Sequence, residues 1–318
     1  MRGFKLLQNK EDVKRLVGKL IPYVGLALLV LFAIIAKGER FLAVRNLRNI
    51  LIQSSILIVM AVGSAFIMSH GDMDFANGGT MGLAMVVTVA LCKGLPAWGY
   101  LPMCLLTGAV IGTLIGFLTT RLRVVAFIVG MCVMRLSTAI LYTTTQQTVW
   151  LAPTSLSNFN QPWFYIVVCV FTVAVGWLVF EYTKIGQYNK AIGVNQNAAR
   201  LSGVNVKKYL LFSFAIGGLC AGLSAFMMIV RTGGLTTSTG SYEVDVLIAL
   251  TIGGMPLTGG SKASIRSAVI GGLALIVLNN ILVLLGVKPD FVNVIKGIVF
   301  LTLVLVTSRN KAGSTVVG

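Results

Sequence analysis

Residues 183–208 read TKIGQYNKAIGVNQNAARLSGVNVKK, the longest polar interval in a chain otherwise built from apolar runs. Lys184, Lys190, Arg200, Lys207 and Lys208 lie in it, and no acid does. Ala191, Ile192, Ala198, Ala199 and Leu201 fall at helical spacing and make a small apolar face. Gly193 and Gly203 stand where a short helix would begin and end. A solvated basic loop accounts for the charges alone. The small residues at Ala191, Ala198 and Ala199 ask for more, and point to a docking helix offered to a soluble partner.

Working outward, composition sets the class. Of 318 residues, 56% are hydrophobic and 11% charged, against about 25% charged in soluble domains; mean hydropathy is +0.90. The chain reads as an all-α polytopic membrane protein. The formal charge of +17 does not indicate nucleic acid, because the basic residues are scattered at the ends of apolar runs instead of lining one face. Membrane sidedness explains them better. Cys92, Cys104, Cys132, Cys169 and Cys220 all lie in apolar runs and form no CxxC, so they read as small core residues and indicate neither a disulfide framework nor a metal site.

The first 20 residues form a basic N-terminal segment, followed by an uncleaved first span over 21–36. Further spans are expected at 51–69, 80–92, 101–120, 124–142, 163–181, 209–230, 246–257, 267–285 and 291–306. That makes about ten, or eight if the broken segments are re-entrant. Most of the 26 Lys and Arg residues fall on the side of the 183–208 interval, which places both termini inside. Residues 37–48 form a basic connector on the opposite side, and the tail from Ser308 reads as disordered. Within the spans, Gly108, Gly112 and Gly116 lie on one helix face and let a neighbouring backbone approach closely. Arg135, near the middle of its span, costs roughly 2.5–3.5 kcal/mol to insert and is therefore expected to face the bundle and meet an acid. Lys296 is expected to snorkel outward, and Trp163 and Tyr165 to lie at the interface. SHGDMDFANGG, residues 69–79, interrupts a helix with glycines; such a break is tolerated at membrane depth where it lines a cavity, and it marks transport sites.

Several blocks then carry a resemblance. GQYNKAIGVNQNAARLSGVNV resembles the cytoplasmic coupling loop of permeases of the ribose/xylose-type sugar ATP-binding-cassette (ABC) importers, with Gly186, Ala191, Ile192, Gly193, Asn195, Ala198, Ala199, Ser202 and Gly203 in the family's places. Glu243 and Asp245, with Ile248 and Ala249, resemble its ELDAIAA run. The paired glycines from Gly253 to Gly260, and LNNILVLLGV with Lys296-Gly297, resemble its later blocks. The family's Gly-Gly-Ile-Asp-Leu-Ser-Val-Gly appears here as Gly71 to Gly78, keeping Asp74 and Gly78 but carrying Asp72, Ala76 and Asn77. Pro256 replaces a usual Ser.

The resemblance implies one of two membrane subunits, each of about ten helices and simplest as a homodimer, in a bacterial inner membrane. It implies that Gly186, Ala191, Gly193, Asn195, Ala198, Ala199 and Gly203 engage a cytoplasmic ABC ATPase, and that an extracytoplasmic binding protein delivers the ligand. The substrate path is assigned to Asp74, Phe75, Asn77, Glu243 and Asp245, among membrane lipid and without cofactor. The chain has no GxxxxGKS phosphate cradle, so ATP hydrolysis is expected on the partner. The expected substrate is a pentose, hexose or related polyol; a nucleoside or other small polar solute is the alternative within the class. A proton-coupled carrier using His70 and Asp72 is the alternative of another class.

Overall fold

In the computed structural model, residues 10–94, 96–147, 150–236 and 242–312 are described. They form the helices α1 (Lys10–Leu42), α2 (Val44–Ser69), α3 (Asn77–Leu91), α4 (Tyr100–Arg121), α5 (Ala126–Gln147), α6 (Pro162–Tyr182), α7 (Lys184–Val194), α8 (Gln196–Leu201), α9 (Val206–Thr232), α10 (Tyr242–Ile252), α11 (Arg266–Leu284) and α12 (Pro289–Ala312). Every interval expected to span is helical over most of its length. Six helices among the described residues, α2, α4, α5, α6, α9 and α11, are long and apolar enough to cross a membrane. Two of the intervals are short as helices. The third span is the 15-residue α3, and the 246–257 interval is helical only to Ile252 before a glycine-rich turn. The tail from Ser308, read as disordered, is helical to Ala312; the rest of that expectation lies outside the described residues. The 37–48 connector is likewise helical, with a kink at Lys37 (φ −148°, ψ 40°).

α2 is the axle of the bundle. It is apolar all round, and every residue from Ser54 to Ser69 is buried, as expected of a helix surrounded by others on all sides. α9 lies along it; Ser224 Oγ donates to the Ile56 carbonyl at 3.3 Å across the contact. The glycine face expected on α4 meets α9, which brings glycines of its own. A Cβ at Gly108 would strike the Gly218 carbonyl and the Gly222 backbone, and one at Gly112 would strike the Phe214 carbonyl and Gly218. The two backbones touch because neither side carries a side chain there. This is how helices associate when lipid is as apolar as leucine.

The outer helices show the opposite pattern. On α6, Ile166, Val167, Val170, Phe171 and Leu178 are exposed, as are Leu106, Val110, Leu114 and Phe117 on α4; these rows suit hydrocarbon. Trp163 is exposed at the start of α6, but Tyr165 is fully buried and donates its hydroxyl to Asn160 Oδ1 at 3.1 Å. Cys132 is exposed and Cys169 half-buried, while Cys92, Cys104 and Cys220 are core residues.

Chain direction alternates, so two ends can be named. One holds α7 and α8, the end of α2, the α4–α5 turn and the start of α9. The other is closed by a bridge between Leu151 and Gly234, by Arg48 donating to the Asn160 carbonyl at 2.8 Å, and by a reciprocal amide pair. In that pair Asn46 Nδ2 donates to Asn280 Oδ1 at 3.0 Å and Asn280 Nδ2 to Asn46 Oδ1 at 2.7 Å. Asn280 belongs to the LNNILVLLGV block and fastens α11 to the start of α2.

Candidate functional site

The 183–208 interval folds as two short helices. Thr183 caps α7, its hydroxyl accepting from Ile185 N–H at 3.2 Å. Asn195 breaks the helix in extended geometry and caps α8, its Oδ1 accepting from Ala198 N–H at 3.0 Å. Such caps satisfy the amides that a helix start leaves free. Gly203 ends α8 as expected. Its φ of +83° lets Gly203 N–H reach the Arg200 carbonyl (3.0 Å) and Val204 N–H the Ala199 carbonyl (3.1 Å), a closed left-handed cap. Gly193 does not begin a helix: it lies in the last turn of α7, because the start signals are Thr183 and Asn195 and Gly193 serves packing.

The structure divides the seven residues assigned to the ATPase contact. Gly186 is buried against the end of α6, where a Cβ would meet the Phe180 carbonyl. A Cβ at Gly193 would meet the Ser69 carbonyl and the Gly260 amide, and those two groups are themselves hydrogen-bonded at 2.8 Å. Ala199 is buried with Ile192, Val206 and Leu210. Ala191, Asn195, Ala198 and Gly203 are exposed. They rim a hollow of about 500 Å³ that Tyr188, Val194 and Ser202 also line. Beside it Val194 is 66% and Leu201 90% exposed, so two aliphatic side chains stand uncovered among polar ones.

Sequence reasoning missed what holds α7 down. Asn189 is fully buried and donates from Nδ2 to Ser213 Oγ of α9 at 2.7 Å. Lys190 pairs with Glu181 at 2.7 Å and lies 4.6 Å from the centre of the Phe180 ring. Phe180 in turn meets Phe66 of α2 edge-on, with 5.1 Å between ring centres. An asparagine two places before Ala191-Ile192-Gly193 cannot be told from a loop residue until its partner on α9 is known.

The residues assigned to the substrate path lie deeper. Asp74 is buried; its Oδ1 accepts from Ala76 N–H at 2.7 Å, and Asn77 Nδ2 donates to the Asp74 carbonyl at 3.0 Å. Both side chains therefore shape the turn that starts α3. Phe75 is half-buried, edge-on to Phe127 of α5 with ring centres 5.0 Å apart. Glu243 is 1% exposed and its Oε1 has no hydrogen-bond partner among the described residues. It feels the charges of Asp245, Arg135 and Asp74, so these residues of α10, α5 and the α2–α3 turn share one polar neighbourhood. Asp245 is bound by Lys296, whose Nζ lies 2.9 and 3.0 Å from its two oxygens.

Two expectations are corrected here. Lys296 does not snorkel outward; it is 8% exposed because its helix packs on α10 with Asp245 within reach. Arg135 does not bury itself on an acid. It is exposed and is in no ion pair among the described residues, although its charge reaches Glu243.

The sequence profile described as "Branched-chain amino acid transport system / permease component" matches residues 46–304. The chain is 32% identical over 303 residues to the ribose import permease protein RbsC of Escherichia coli (strain K12), covering 90% of this chain and 93% of that one. It is 31% identical over 319 residues to the galactose/methyl galactoside import permease protein MglC of the same strain, with coverage of 90% and 93%. It is 26% identical over 276 residues to the galactofuranose transporter permease protein YtfT, with coverage of 82% and 79%. No solved structure matches the chain.

Proposed function

This chain belongs to the branched-chain amino acid transport system / permease component family, and on that premise we propose that it forms the membrane path for a small sugar. It is a multi-pass inner-membrane permease of the ABC importer type. In the proposed assembly a cytoplasmic ATPase drives it, an extracytoplasmic binding protein supplies the ligand, and a second copy of the chain completes the path. Ten helices embedded in the membrane with both termini in the cytoplasm belong to the same reading. It is supported by the basic residues gathered at the α7–α8 end.

The observation that carries the proposal is the α7–α8 pair. Its inner face is keyed to the bundle at Gly193, and its outer face offers small residues and two uncovered aliphatic side chains around a hollow. A lever of this form passes motion from a partner to the helices. Because Gly193 touches both Ser69 and Gly260, a push on α8 reaches the end of α2 and the glycine turn after α10 together. α10 carries Glu243 and Asp245, and Ser69 begins the turn that holds Asp74, Phe75 and Asn77. The path residues therefore sit on the two segments that the lever touches. Alternating access needs contacts that differ between two states, and binding of ATP to the partner would supply them.

For the substrate, the names of the relatives support a pentose or hexose. Glu243 suits that class, since a buried carboxylate oxygen without a donor can accept from a sugar hydroxyl. The test is a thermal-shift panel on the cognate binding protein with ribose, galactose, polyols and nucleosides, followed by uptake of the hit in proteoliposomes holding permease and ATPase. A sugar hit that is taken up with ATP supports the proposal. A nucleoside hit, or uptake without ATP, contradicts it.

A further inference from the structure

Beside α8, on its other flank, lies a second and larger hollow of about 830 Å³. It is bounded by the end of α2, the α4–α5 turn, α8 and the start of α9. Three cations from three separate elements line it: Arg123, Arg200 and Lys207. None of the three is in an ion pair among the described residues. Two polar atoms in the wall are buried without a hydrogen-bond partner among the described residues, His70 Nε2 and Thr119 Oγ1. The His70 side chain is 1% exposed, and a buried polar group left unpaired is costly enough to need an explanation. One acid, Asp72, also lines the hollow, but it lies 3.4 Å from His70 Nδ1. Its charge is directed at the ring and leaves Nε2 as the free end.

We propose that this hollow binds a phosphate group. Three converging cations give the charge, the Thr119 hydroxyl gives a donor, and His70 brings a buried ring nitrogen, Nε2, that has no other partner among the described residues. The chemistry is the same whether the phosphate is free in solution or carried by an anionic lipid headgroup at this end of the bundle. Either source would tie α8 to the α4–α5 turn, so occupancy would stiffen the lever from the side away from the 500 Å³ hollow. The proposal does not depend on which solute the permease carries.

The experiment is thermal unfolding of the full chain in lipid nanodiscs at matched ionic strength. One arm titrates inorganic phosphate into phosphatidylcholine discs; the other replaces part of the phosphatidylcholine by phosphatidylglycerol without added phosphate. The arms are repeated with Lys207→Gln, with Arg123→Gln/Lys207→Gln, and with Lys262→Gln, an exposed cation outside the hollow. A ligand that binds only the folded chain raises Tm with concentration. The wild type should be stabilised in at least one arm, and the double variant should need about tenfold more ligand for the same shift. Lys262→Gln should follow the wild type. Stabilisation by phosphate identifies a soluble ligand, and stabilisation only by phosphatidylglycerol identifies the headgroup. Lys207→Gln alone keeps the test open if the double variant does not fold. No shift of the wild type in either arm, or equal shifts in wild type and Lys207→Gln, overturns the proposal.

Discussion

α7 and α8 are neighbours cut from one polar interval, yet the molecule treats them differently. α7 is held by fixed contacts: Gly186 against Phe180, Asn189 on Ser213, Lys190 on Glu181, Gly193 on Ser69 and Gly260. α8 has Ala199 to hold it inward and little else, while Ala198, Asn195 and Leu201 face out. The difference teaches that a recognisable motif is not a single contact surface. Three of its seven residues, Gly186, Gly193 and Ala199, fasten the pair to the bundle, and the other four, Ala191, Asn195, Ala198 and Gly203, are exposed.

Substitutions can break the contrast in order of size. Gly193→Asp places a side chain and a charge where the Ser69–Gly260 hydrogen bond runs. Overpacking alone costs about 1–3 kcal/mol, and a buried unpaired charge adds to it. Uptake should be abolished while the chain still reaches the membrane, as checked by uptake assay and by its abundance in the membrane fraction. Asn189→Ala removes one buried hydrogen bond from α7 and should cost about 1 kcal/mol, read as a lower Tm in detergent with transport reduced in proportion. Asn195→Ala removes the α8 cap, worth about 1 kcal/mol. Its effect should be confined to α8 and appear as faster amide exchange at 196–201 with α7 unchanged. Lys190→Gln loses a partly exposed ion pair and should cost less than about 1 kcal/mol, screened further by salt. If Lys190→Gln proved as damaging as Gly193→Asp, α7 would be held by charge and not by shape.

Much of the fold is legible along the chain because its determinants are local. Apolar runs marked the six helices long enough to cross a membrane, Gly108, Gly112 and Gly116 announced a close helix contact, and Gly203 stopped α8 as its backbone freedom allows. What the chain hides is which distant residue answers. Gly193 looks like a boundary glycine until Ser69 and Gly260 arrive beside it. Lys296 looks like an interfacial lysine until α12 meets Asp245. Arg135 shows the reverse error. An insertion cost argues for a buried partner, but Arg135 is exposed and forms no ion pair among the described residues, its charge only being felt at Glu243. Of the residues proposed for the path, Asp74, Phe75 and Asn77 were legible as an interruption of helix, and Glu243 and Asp245 only through the resemblance. That Asp74 and Asn77 spend their hydrogen bonds on the turn itself, while Glu243 keeps an oxygen free, required the structure.

In the proposed assembly the outer face of α8 is a docking surface and not a solvated loop. Ala198→Trp in the assembled transporter tests it most directly, because Ala198 is exposed and a tryptophan there has room in the chain alone. The account predicts an unchanged Tm for the isolated permease, together with loss of ATPase association in pull-down and loss of ATP-driven uptake. Normal association and uptake with tryptophan at that position would contradict it.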